Sequence, residues 1–302
     1  MPRIVNFGSC CIDMLLSVPR IAAPGETLAA TGDARMAGGK GLNQSIAAAR
    51  GGAVVAHFGA VGSDGTDLLD LLREAGVDVS GVEVSADRPT GRAVVQVAAD
   101  GENAIVIVPG ANRGLPRRIM ETAVDGLGAG DWLLLQNETD WVPEAIARAA
   151  AGPGRVALNL APADPAARDW PLEELDLLIV NETEALMLTD EASPEAQIAA
   201  LHARCPRAWI ALTLGAEGAI LAAGDAHPEG AARFACAALA VDVVDTTGAG
   251  DAFTGHLLAA LSAGLAPREA LARAAVAGAL ACTLAGAAPS IPTAAAVDGR
   301  LV

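Results

Sequence analysis

Aromatic residues and lysine are scarce in this chain of 302 residues. Phe, Trp and Tyr together account for 3% of the sequence, whereas all apolar residue types account for 52%. The core must therefore be built mainly from Ala, Val, Leu and Ile. Of the 20 basic residues 19 are arginine, so that Lys40 is the only lysine. Because a flexible ammonium and a planar guanidinium bind ligands differently, Lys40 is a candidate functional residue; an ordinary surface lysine is the alternative.

Positive charge is also scarce. The formal net charge is −16 at pH 7 and the pI is about 4.5. The electrostatic field of such a protein repels phosphate groups. We therefore expect neither a nucleic acid nor a membrane as partner, and a phosphorylated ligand would require a local positive potential.

Signals for export, membrane insertion and disulfide bonding are lacking as well. The N-terminus has no basic segment followed by a long apolar run. The uncharged run 274–297 is mostly Ala and Gly and contains Pro289 and Pro292, which predicts a buried helix and a loop rather than a membrane span. The five cysteines show no CxxC spacing. Reduced thiols and a cytoplasmic location are the expectation.

Several common motifs of active sites are absent. Gly39-Lys40 is followed by another glycine rather than by Ser or Thr, which excludes a Walker A loop. The glycines at 126, 128 and 130 precede a predicted strand instead of following one, which argues against a dinucleotide-binding oxidoreductase. The four histidines lack metal-ligand spacing, and no G-x-S-x-G sequence occurs.

Short apolar runs alternate with helix-like segments along most of the chain. The predicted strands are Ile4–Phe7, Val54–Val61, Trp132–Gln136, Val156–Leu160, Leu177–Val180, Trp209–Leu214 and Val241–Val244. The predicted helices are Leu42–Arg50, Asp67–Glu74, Pro143–Ala151 and Pro194–Ala203. This alternation predicts an α/β fold with a mostly parallel central sheet and helices on both faces. Since no repeat or low-complexity linker occurs, we expect a single domain over residues 1–302.

Two segments interrupt the alternation. Thr90–Ala99 and Glu102–Val108 flank Asp100-Gly101, a strong hairpin turn signal. Met14–Met36 contains short apolar pieces around two prolines. Residues 14–36 and 90–108 are therefore predicted to form a small β lid, with two unrelated surface insertions as the alternative. A lid of this kind exposes apolar edge strands, which favours a homodimer through the lid.

The stretch D-T-T-G-A-G-D-A-F at 245–253 combines an anion site with a carboxylate. Val241–Val244 before it is predicted as a buried strand. A helix after it is indicated by the apolar spacing of Phe253, Leu257, Leu258 and Leu261. Unpaired N–H groups at a helix N-terminus attract anions, yet Asp251 stands among them. Taken alone, Asp251 could simply be a first-turn carboxylate stabilised by the helix dipole.

This stretch and a second one, A-G-G-K-G-L-N-Q at 37–44, are similar to the two signatures of the ribokinase-like (PfkB-type) carbohydrate kinases. Further motifs that resemble those of the family occur in the same order along nearly the whole chain. Shorter matches are P-G-E-T at 24–27, P-G-A-N at 109–112, N-L-A-P-A at 159–163, N-E-T-E at 181–184, T-L-G at 213–215 and G-A-A-P-S-I-P at 286–292.

The resemblance implies an ATP-dependent sugar kinase of ribokinase-like fold. It implies that Asp251 is the base that takes the proton from a sugar hydroxyl. The N–H groups of Gly248, Ala249 and Gly250 would hold the charge of the transferring phosphoryl group. The carboxylate and the anion site would then act on opposite ends of one reaction.

The resemblance also implies ligand sites. Asn181 and Glu184 would organise Mg²⁺ through waters, although the acidic start of a helix is the alternative reading of N-E-T-E. Thr213 and Gly215, with Gly248 and Gly250, would line the nucleotide site. A monovalent cation, usually K⁺, would be held by the loops that contain Asp245, Thr247, Ala281, Leu284, Gly286 and Ser290.

For the sugar, the resemblance implies a set of residues that also includes Asp251: Asp13, Gly39, Lys40, Asn43 and Glu138. D-Ribose is the substrate it favours. One position departs from the pattern, because Cys11 stands where ribokinases have an asparagine two residues before the sugar-binding aspartate. Another pentose, a ketohexose or a nucleoside therefore stays open as substrate, and a catalytically silent sugar or nucleotide sensor is the alternative from another class.

Overall fold

The computed structural model describes residues 2–301, so the two ends of the predicted domain, Met1 and Val302, lie outside the described residues. The strands are β1 Arg3–Phe7, β2 Cys11–Val18, β3 Gly32–Gly38, β4 Val54–Gly62, β5 Asp78–Ser85, β6 Gly91–Ala98, β7 Asn103–Val108, β8 Trp132–Gln136, β9 Arg155–Asn159, β10 Leu177–Asn181, β11 Trp209–Thr213, β12 Ala219–Ala223 and β13 Ala232–Cys236. The helices are α1 Lys40–Arg50, α2 Thr66–Glu74, α3 Arg117–Asp125, α4 Val142–Ala150, α5 Glu182–Thr189, α6 Pro194–Arg204, α7 Ala249–Ser262, α8 Pro267–Ala281, α9 Ala287–Ser290 and α10 Ala294–Asp298.

The larger sheet has nine strands within residues 2–301, in the order β13-β12-β11-β10-β9-β8-β1-β4-β5. The pairs from β5 to β11 are parallel, and β12 and β13 complete one edge with antiparallel pairs. In β1, Ile4 is in register with Val55 of β4 on one side and with Trp132 of β8 on the other. The prediction of a mostly parallel central sheet is confirmed.

Helices cover both faces of this sheet. Ile4 packs into one buried cluster together with residues of α1 and α7, such as Leu42 and Leu257. The next residue of the same strand, Val5, packs into a second cluster with Ile119 of α3. Because side chains alternate across a strand, the two clusters lie on opposite faces. The expected α/β architecture with a doubly covered sheet is therefore correct.

A second sheet of four strands, in the order β3-β2-β6-β7, is also formed within residues 2–301. Strands β6 and β7 form the antiparallel hairpin around Asp100-Gly101. Arg35 of β3 contacts Asp67 at 2.5 Å, and Arg92 of β6 contacts Asp64 at 2.5 Å. Both carboxylates belong to the segment around the start of α2, so ion pairs join the second sheet to the main body.

One strand prediction is wrong. Val241–Val244 is not a strand, and Val243 and Val244 are each 64% exposed. The chain has already left the sheet edge at β13, and the N–H of Val244 donates instead to the carbonyl of Cys282 at 2.8 Å. The apolar run forms part of a cavity wall. Strands β5, β12 and β13 were not predicted: β5 and β13 are exposed or half-buried along their length, and β12, although buried, is a short run composed mostly of alanine.

The uncharged run near the C-terminus folds into helical segments. It contains the second half of α8 and then the short helices α9 and α10. None of the helices within residues 2–301 has the length and apolar character that a membrane crossing requires.

Candidate active site

The site lies where the order of the larger sheet reverses. From β1 the chain proceeds to β4 on one side, and β8 flanks β1 on the other. Ligands of open α/β sheets bind beyond the carboxyl ends of strands at such a point. Ser9 follows β1 and Glu138 follows β8, and the Ser9 hydroxyl donates to Glu138 Oε2 at 2.5 Å. The Lys40 N–H donates to the same oxygen at 3.0 Å, so Glu138 is held against the start of α1.

A close backbone approach positions the start of α1. Gly39 precedes the helix with φ of 94°, in the left-handed region that favours glycine. A Cβ atom at Gly39 would lie 2.9 Å from the backbone nitrogen of Cys11. Glycine is therefore required here both by conformation and by space, and it brings Lys40 next to β2 of the second sheet.

Lys40 lies among four carboxylates. Burial lowers the pKa of its ammonium, but the negative charges of Asp251, Glu138, Glu184 and Asp13 raise it, and the net pKa is above the usual value. Lys40 is thus protonated at neutral pH. It is the one lysine of the sequence, and its ammonium supplies a positive charge among these carboxylates.

Asp13 of β2 is one of the carboxylates whose charges are coupled to Lys40. Burial, followed by the charges of Glu138 and Asp251, raises the pKa of its carboxyl to about 6, although Lys40 opposes the shift. The folded protein therefore holds a proton on Asp13 at a pH where the unfolded chain, with an ordinary aspartate pKa of about 4, has lost it.

Asp13→Asn is expected to stabilise the ligand-free protein. Stability from Asp13 is lost as pH rises from about 4 to about 6, because the folded state binds the proton more tightly than the unfolded state. At pH 7.5 the variant should melt about 2–4 °C above wild type, and at pH 4 the difference should disappear. Thermal unfolding at both pH values measures this effect.

A control of opposite sign is available in Asp67→Asn. Asp67 has a pKa lowered chiefly by its hydrogen bond with Arg35, so its replacement should destabilise the protein at pH 7.5. If Asp13→Asn lowered the melting temperature at pH 7.5, the raised pKa of Asp13 would be wrong.

Asp251 is buried in the first turn of α7, and amides hold both of its carboxylate oxygens. Asn43 Nδ2 donates to Oδ2 at 2.9 Å, and Gln44 Nε2 donates to Oδ1 at 2.9 Å. Burial raises the pKa of Asp251, although Lys40 and the two amides oppose the shift. Asn43 Oδ1 is buried and has no hydrogen-bond donor among residues 2–301. This oxygen can accept a hydrogen bond from a ligand hydroxyl.

The glycine-rich turn before Asp251 presents backbone N–H groups. Gly248 precedes α7 with φ of 81°, and a Cβ at Gly250 would have no atom within 4 Å. The Ala249 N–H donates to the carbonyl of Thr246 at 3.2 Å. Across residues 2–301 the N–H groups of Gly248 and Gly250 have no acceptor. Two of the three N–H groups of the predicted anion hole are therefore free in this conformation, whereas the third already has an acceptor.

A polar cavity of about 210 Å³ opens beside this turn. Its lining includes Lys40, Asn159, Asn181, Glu184, Thr213, Gly248, Gly250, Asp251 and Thr254. The buried hydroxyl of Thr254 has no hydrogen-bond partner within residues 2–301. The size of the cavity and its one ammonium suit a phosphate group.

A second, mainly apolar cavity of about 470 Å³ adjoins the first. Thr213 at the end of β11 lines both cavities, and Gly215 lines the larger one. Other walls come from 238–243, from Phe253 and from α8. An apolar slot next to a phosphate-sized pocket suits a nucleotide, with its base in the larger space.

Asn181 and Glu184 form a capping box at the start of α5. Asn181 Oδ1 accepts from the Glu184 N–H at 2.8 Å, and Glu184 Oε2 accepts from the Asn181 N–H at 2.9 Å. Burial raises the pKa of Glu184 above its usual value. The hydrogen bond from the Asn181 N–H and the positive charge of Lys40 oppose this shift but do not reverse it. Within the described residues no group of three or more His, Cys, Asp or Glu side chains could hold a metal. Because Oε2 of Glu184 already accepts from the Asn181 N–H, Oε1 is the oxygen that remains for an ion bound through waters.

Two loops meet next to the glycine turn. Asp245 Oδ1 accepts from the Thr247 N–H at 2.9 Å, and Asp245 Oδ2 accepts from the Gly286 N–H at 2.8 Å. Burial raises the pKa of Asp245, but these hydrogen bonds and that of the Thr247 hydroxyl lower it below the usual value. This places an ionised carboxylate between the loops.

The other three residues predicted to bind the cation, Ala281, Leu284 and Ser290, lie around these loops. They do not provide a set of side-chain oxygens that converge on one position. Ala281 is buried at the end of α8, and Leu284 is 56% exposed. The Ser290 hydroxyl donates to the carbonyl of Ala287 at 2.8 Å. Any contribution of Ala281 and Leu284 would have to come from the backbone.

Four residues of the site had no role in the sequence analysis: Ser9, Gln44, Asn159 and Thr254. Gln44 and Asn159 were part of matched stretches but were not assigned. The available signal was polarity where a core is expected, since Gln44 is fully buried on a helix whose inward residues, apart from Asn43 and Ser45, are otherwise apolar or glycine. Such a side chain requires hydrogen-bond partners.

Comparison with known proteins gives a consistent result. The sequence profile described as pfkB family carbohydrate kinase matches residues 1–294. The ribokinase of Haemophilus influenzae is 35% identical over 295 residues, which cover 95% of this chain and 94% of that protein.

Solved structures agree with this relationship. The ribokinase of Cryptococcus neoformans var. grubii in complex with ADP has a TM-score of 0.85 and 35% identity, and the match covers 100% of both chains. The Arabidopsis thaliana ribokinase complexed with ribose and ATP has a TM-score of 0.86 and 29% identity, with 100% of this chain and 99% of that chain covered.

Proposed function

The chain belongs to the pfkB family of carbohydrate kinases, and from this premise we propose that it transfers the γ-phosphate of ATP to a primary hydroxyl of a small sugar, with D-ribose as substrate. The observation that carries the proposal is the position of Asp251. Its carboxylate lines the phosphate-sized cavity and accepts a hydrogen bond from Asn43 Nδ2. The other polar atom of that amide, Asn43 Oδ1, has no partner within residues 2–301 and can accept from a ligand hydroxyl. A base between a phosphate pocket and a hydroxyl acceptor suits phosphoryl transfer to an alcohol.

On the sugar side, the charges of Asp13, Lys40 and Glu138 act on Asp251, to which Asn43 donates. Asp13 and Glu138 would accept hydrogen bonds from paired hydroxyls, and Lys40 would donate. Gly39 would contribute through its backbone, because the space where a side chain would lie is filled by Cys10 and Cys11. With Asp13, Lys40, Glu138 and Asp251 mutually coupled in charge, the pocket is matched to a neutral, hydroxyl-rich ligand rather than to an anion.

On the nucleotide side, the free N–H groups of Gly248 and Gly250 would hold the γ-phosphoryl oxygens at the helix N-terminus. The Ala249 N–H would join them only if its bond to Thr246 opened. Thr213 and Gly215 would border the bound nucleotide. Mg²⁺ would be organised by Glu184 and Asn181 through waters, and when bound it neutralises phosphate charge.

Cys11 favours a second candidate substrate class. Burial, and then the charges of Glu138, Cys10 and Asp13, raise the pKa of this thiol, so it is neutral. Asn112 Nδ2 donates to its sulfur at 3.3 Å. A thiol binds a sugar hydroxyl only weakly. A different pentose, a ketohexose or a nucleoside therefore remains the alternative, and a silent sensor is the alternative if turnover is absent.

The direct test is ADP release from ATP and Mg²⁺ with ribose, other pentoses, fructose and nucleosides. We expect a kcat/KM for ribose at least about tenfold above the other acceptors, since a missing hydroxyl partner costs on the order of 1–3 kcal/mol. Preference for another acceptor would retain the kinase and reject ribose. Binding of ATP without turnover of any acceptor would indicate the sensor.

A monovalent cation, K⁺, is proposed near the loops joined by Asp245. Thr247, Gly286 and Ser290 would help to hold it, together with backbone carbonyls near Ala281 and Leu284. We expect K⁺ to increase kcat relative to Na⁺, because the cation would order the loop that carries the glycine turn. Asp245→Ala should remove the difference. Equal rates of wild type in K⁺-free Na⁺ buffer would contradict the proposal.

Residues 14–36 and 90–108 are proposed to act as a lid of the single domain and to join two copies. Strand β7 is an edge strand of the second sheet, and four successive residues, Ile105, Val106, Ile107 and Val108, are between 45% and 62% exposed. Apolar edges of this kind pair with other strands. We expect a homodimer by light scattering at micromolar concentration and a monomer for Val106→Lys. A monomeric wild type would reject the dimer.

A further inference from the structure

We propose that Gln44 is a positioning residue, which holds the Asp251 carboxylate in the one orientation that is competent to accept the proton. This proposal rests on the proposed function, because it assigns the residue that prepares the base. Gln44 is completely buried and lies behind the site. It does not line either cavity of the nucleotide side.

The geometry ties Gln44 to the base. Its Nε2 donates to Asp251 Oδ1 at 2.9 Å and to Asn159 Oδ1 at 2.8 Å. Asn43 holds the other oxygen, so consecutive residues of α1 clamp both oxygens of a carboxylate that α7 supplies. Two donors from one rigid helix leave the carboxyl group little freedom to rotate.

The amide of Gln44 is itself held in a single orientation. Its Oε1 accepts from Gln136 Nε2 at 2.8 Å, and that nitrogen also donates to Asn6 Oδ1 at 3.0 Å. Asn6 Nδ2 in turn donates to the Gly41 carbonyl and to the Ser45 hydroxyl, both at 2.7 Å. Reversal of any one amide in this series would place two donors or two acceptors against each other. The series therefore directs the Gln44 NH₂ group toward Asp251.

Asn43 and Gln44 have different tasks in this arrangement. Asn43 retains a free oxygen toward the sugar side, whereas both polar atoms of Gln44 are fully used inside the protein. The charged groups that face Asp251 are Lys40 of α1, Glu138 after β8 and Asp13 of β2, with Glu184 of α5 coupled through Lys40. Loss of Gln44 would leave Asp251 under these charges with one of its oxygens unbonded.

The kinetic test compares Gln44→Leu and Gln44→Glu with wild type. For Gln44→Leu we expect kcat to fall about 100-fold, as displacement of a reacting group does, while KM for sugar and for ATP changes less than about threefold. In Gln44→Glu the new carboxyl faces Asp251, and like charges raise the pKa of the pair. The acid limb of its kcat profile should move to higher pH by about one unit or more.

Gln197→Leu is the matched control. Gln197 is also a buried glutamine, but its Nε2 donates to the backbone carbonyls of Glu182 and Glu191. A similar loss of melting temperature is expected, without the loss of kcat or the change of pH profile. If Gln44→Leu lost no more kcat than this control, or if Gln44→Glu kept the wild-type pH profile, Gln44 would have only a structural role.

A measurement without turnover separates this proposal from the proposed function. In protein labelled with [¹³C]carboxyl aspartate, the signal absent from Asp251→Asn reports the titration of Asp251. We expect its midpoint to move to higher pH in Gln44→Leu and in Gln44→Glu, but not in Gln197→Leu. An unchanged midpoint in both Gln44 variants overturns the proposal even if the wild type is active. If the midpoint moves in the Gln44 variants but the wild type phosphorylates no sugar, the role of Gln44 is supported and the kinase function is rejected.

Discussion

Asp251→Asn is expected to reduce kcat by about 10³–10⁴-fold, the upper part of the range for a general base. The carboxamide cannot accept the proton that the attacking hydroxyl loses. Binding should be largely retained, because Asn43 can reverse its amide: its Oδ1 has no donor in the present arrangement. After reversal its Oδ1 accepts a hydrogen bond from the new NH₂ group, and its own NH₂ group then faces the sugar hydroxyl, which can accept a hydrogen bond as well as donate one. KM for the sugar should therefore change much less than kcat.

The measurement is ADP release at saturating ATP and sugar, together with sugar binding by calorimetry. Asp131→Asn is the matched control. Asp131 is also a buried aspartate, but it lies before β8 and accepts hydrogen bonds from Arg3. Its replacement should lower stability while kcat is retained. A kcat of Asp251→Asn within tenfold of wild type would exclude Asp251 as the base.

The fold was accessible from the sequence because its signals are local. Short apolar runs such as Trp132–Gln136 correspond to β8 without any shift. The sheet edge was not accessible, since β12 and β13 are antiparallel strands of mostly small residues. Val241–Val244 illustrates the converse error. An apolar run indicates that a segment avoids water, but it does not distinguish a strand from the wall of a ligand cavity.

For the site, the sequence motifs identified which residues to examine but not how they contact each other. Asp13, Lys40, Glu138 and Asp251 are distant in sequence, yet their charges are coupled in the folded protein. Their roles stay predictions. Spacing alone could not show that the Ala249 N–H donates to Thr246, or that Asn181 and Glu184 satisfy each other as a capping box. Both facts depend on backbone geometry after folding.

Gln44 shows a further limit of sequence reasoning. Its neighbour Asn43 was assigned because it belongs to a sugar-binding pattern, whereas a glutamine without ligand contact carries no such signal. Its partners Gln136 and Asn159 lie on two different strands, 92 and 115 residues away. Only the assembled sheet shows that these amides form one connected series behind the base.

Lys40→Met is expected to lower kcat/KM by about 10²–10³-fold, comparable to loss of a donor that stabilises transition-state charge. The ammonium lines the phosphate-sized cavity together with Asp251 and Glu184. Without it, the carboxyl groups of Asp13, Glu184 and Asp251 would lose the positive charge that lowers their pKa values, and those pKa values should rise. The loss should therefore be largest at low pH, where more of Asp251 would be protonated.

Lys40→Arg tests whether charge alone is sufficient. A guanidinium keeps the positive charge, but it is planar and larger, and Lys40 is a half-buried residue that follows Gly39 and contacts Glu138. We expect this variant to recover less than about a tenth of the wild-type kcat/KM, since misplacement of a reacting group costs on the order of 10²-fold. Steady-state kinetics of both variants over pH 5–9 measure these effects. Recovery of full activity by arginine would show that the pocket requires only a positive charge.

The single lysine permits an independent measurement on the unmodified protein. An amine-selective acylating reagent can modify only Lys40 and the N-terminal amine, because no other lysine occurs in the chain. Its attack requires the neutral amine, and the surrounding carboxylates raise the pKa of Lys40. We therefore expect slow acylation that accelerates with pH, slows when ATP is bound, and abolishes activity in proportion to its extent. Full activity after stoichiometric acylation of Lys40 would contradict a role for this ammonium in catalysis.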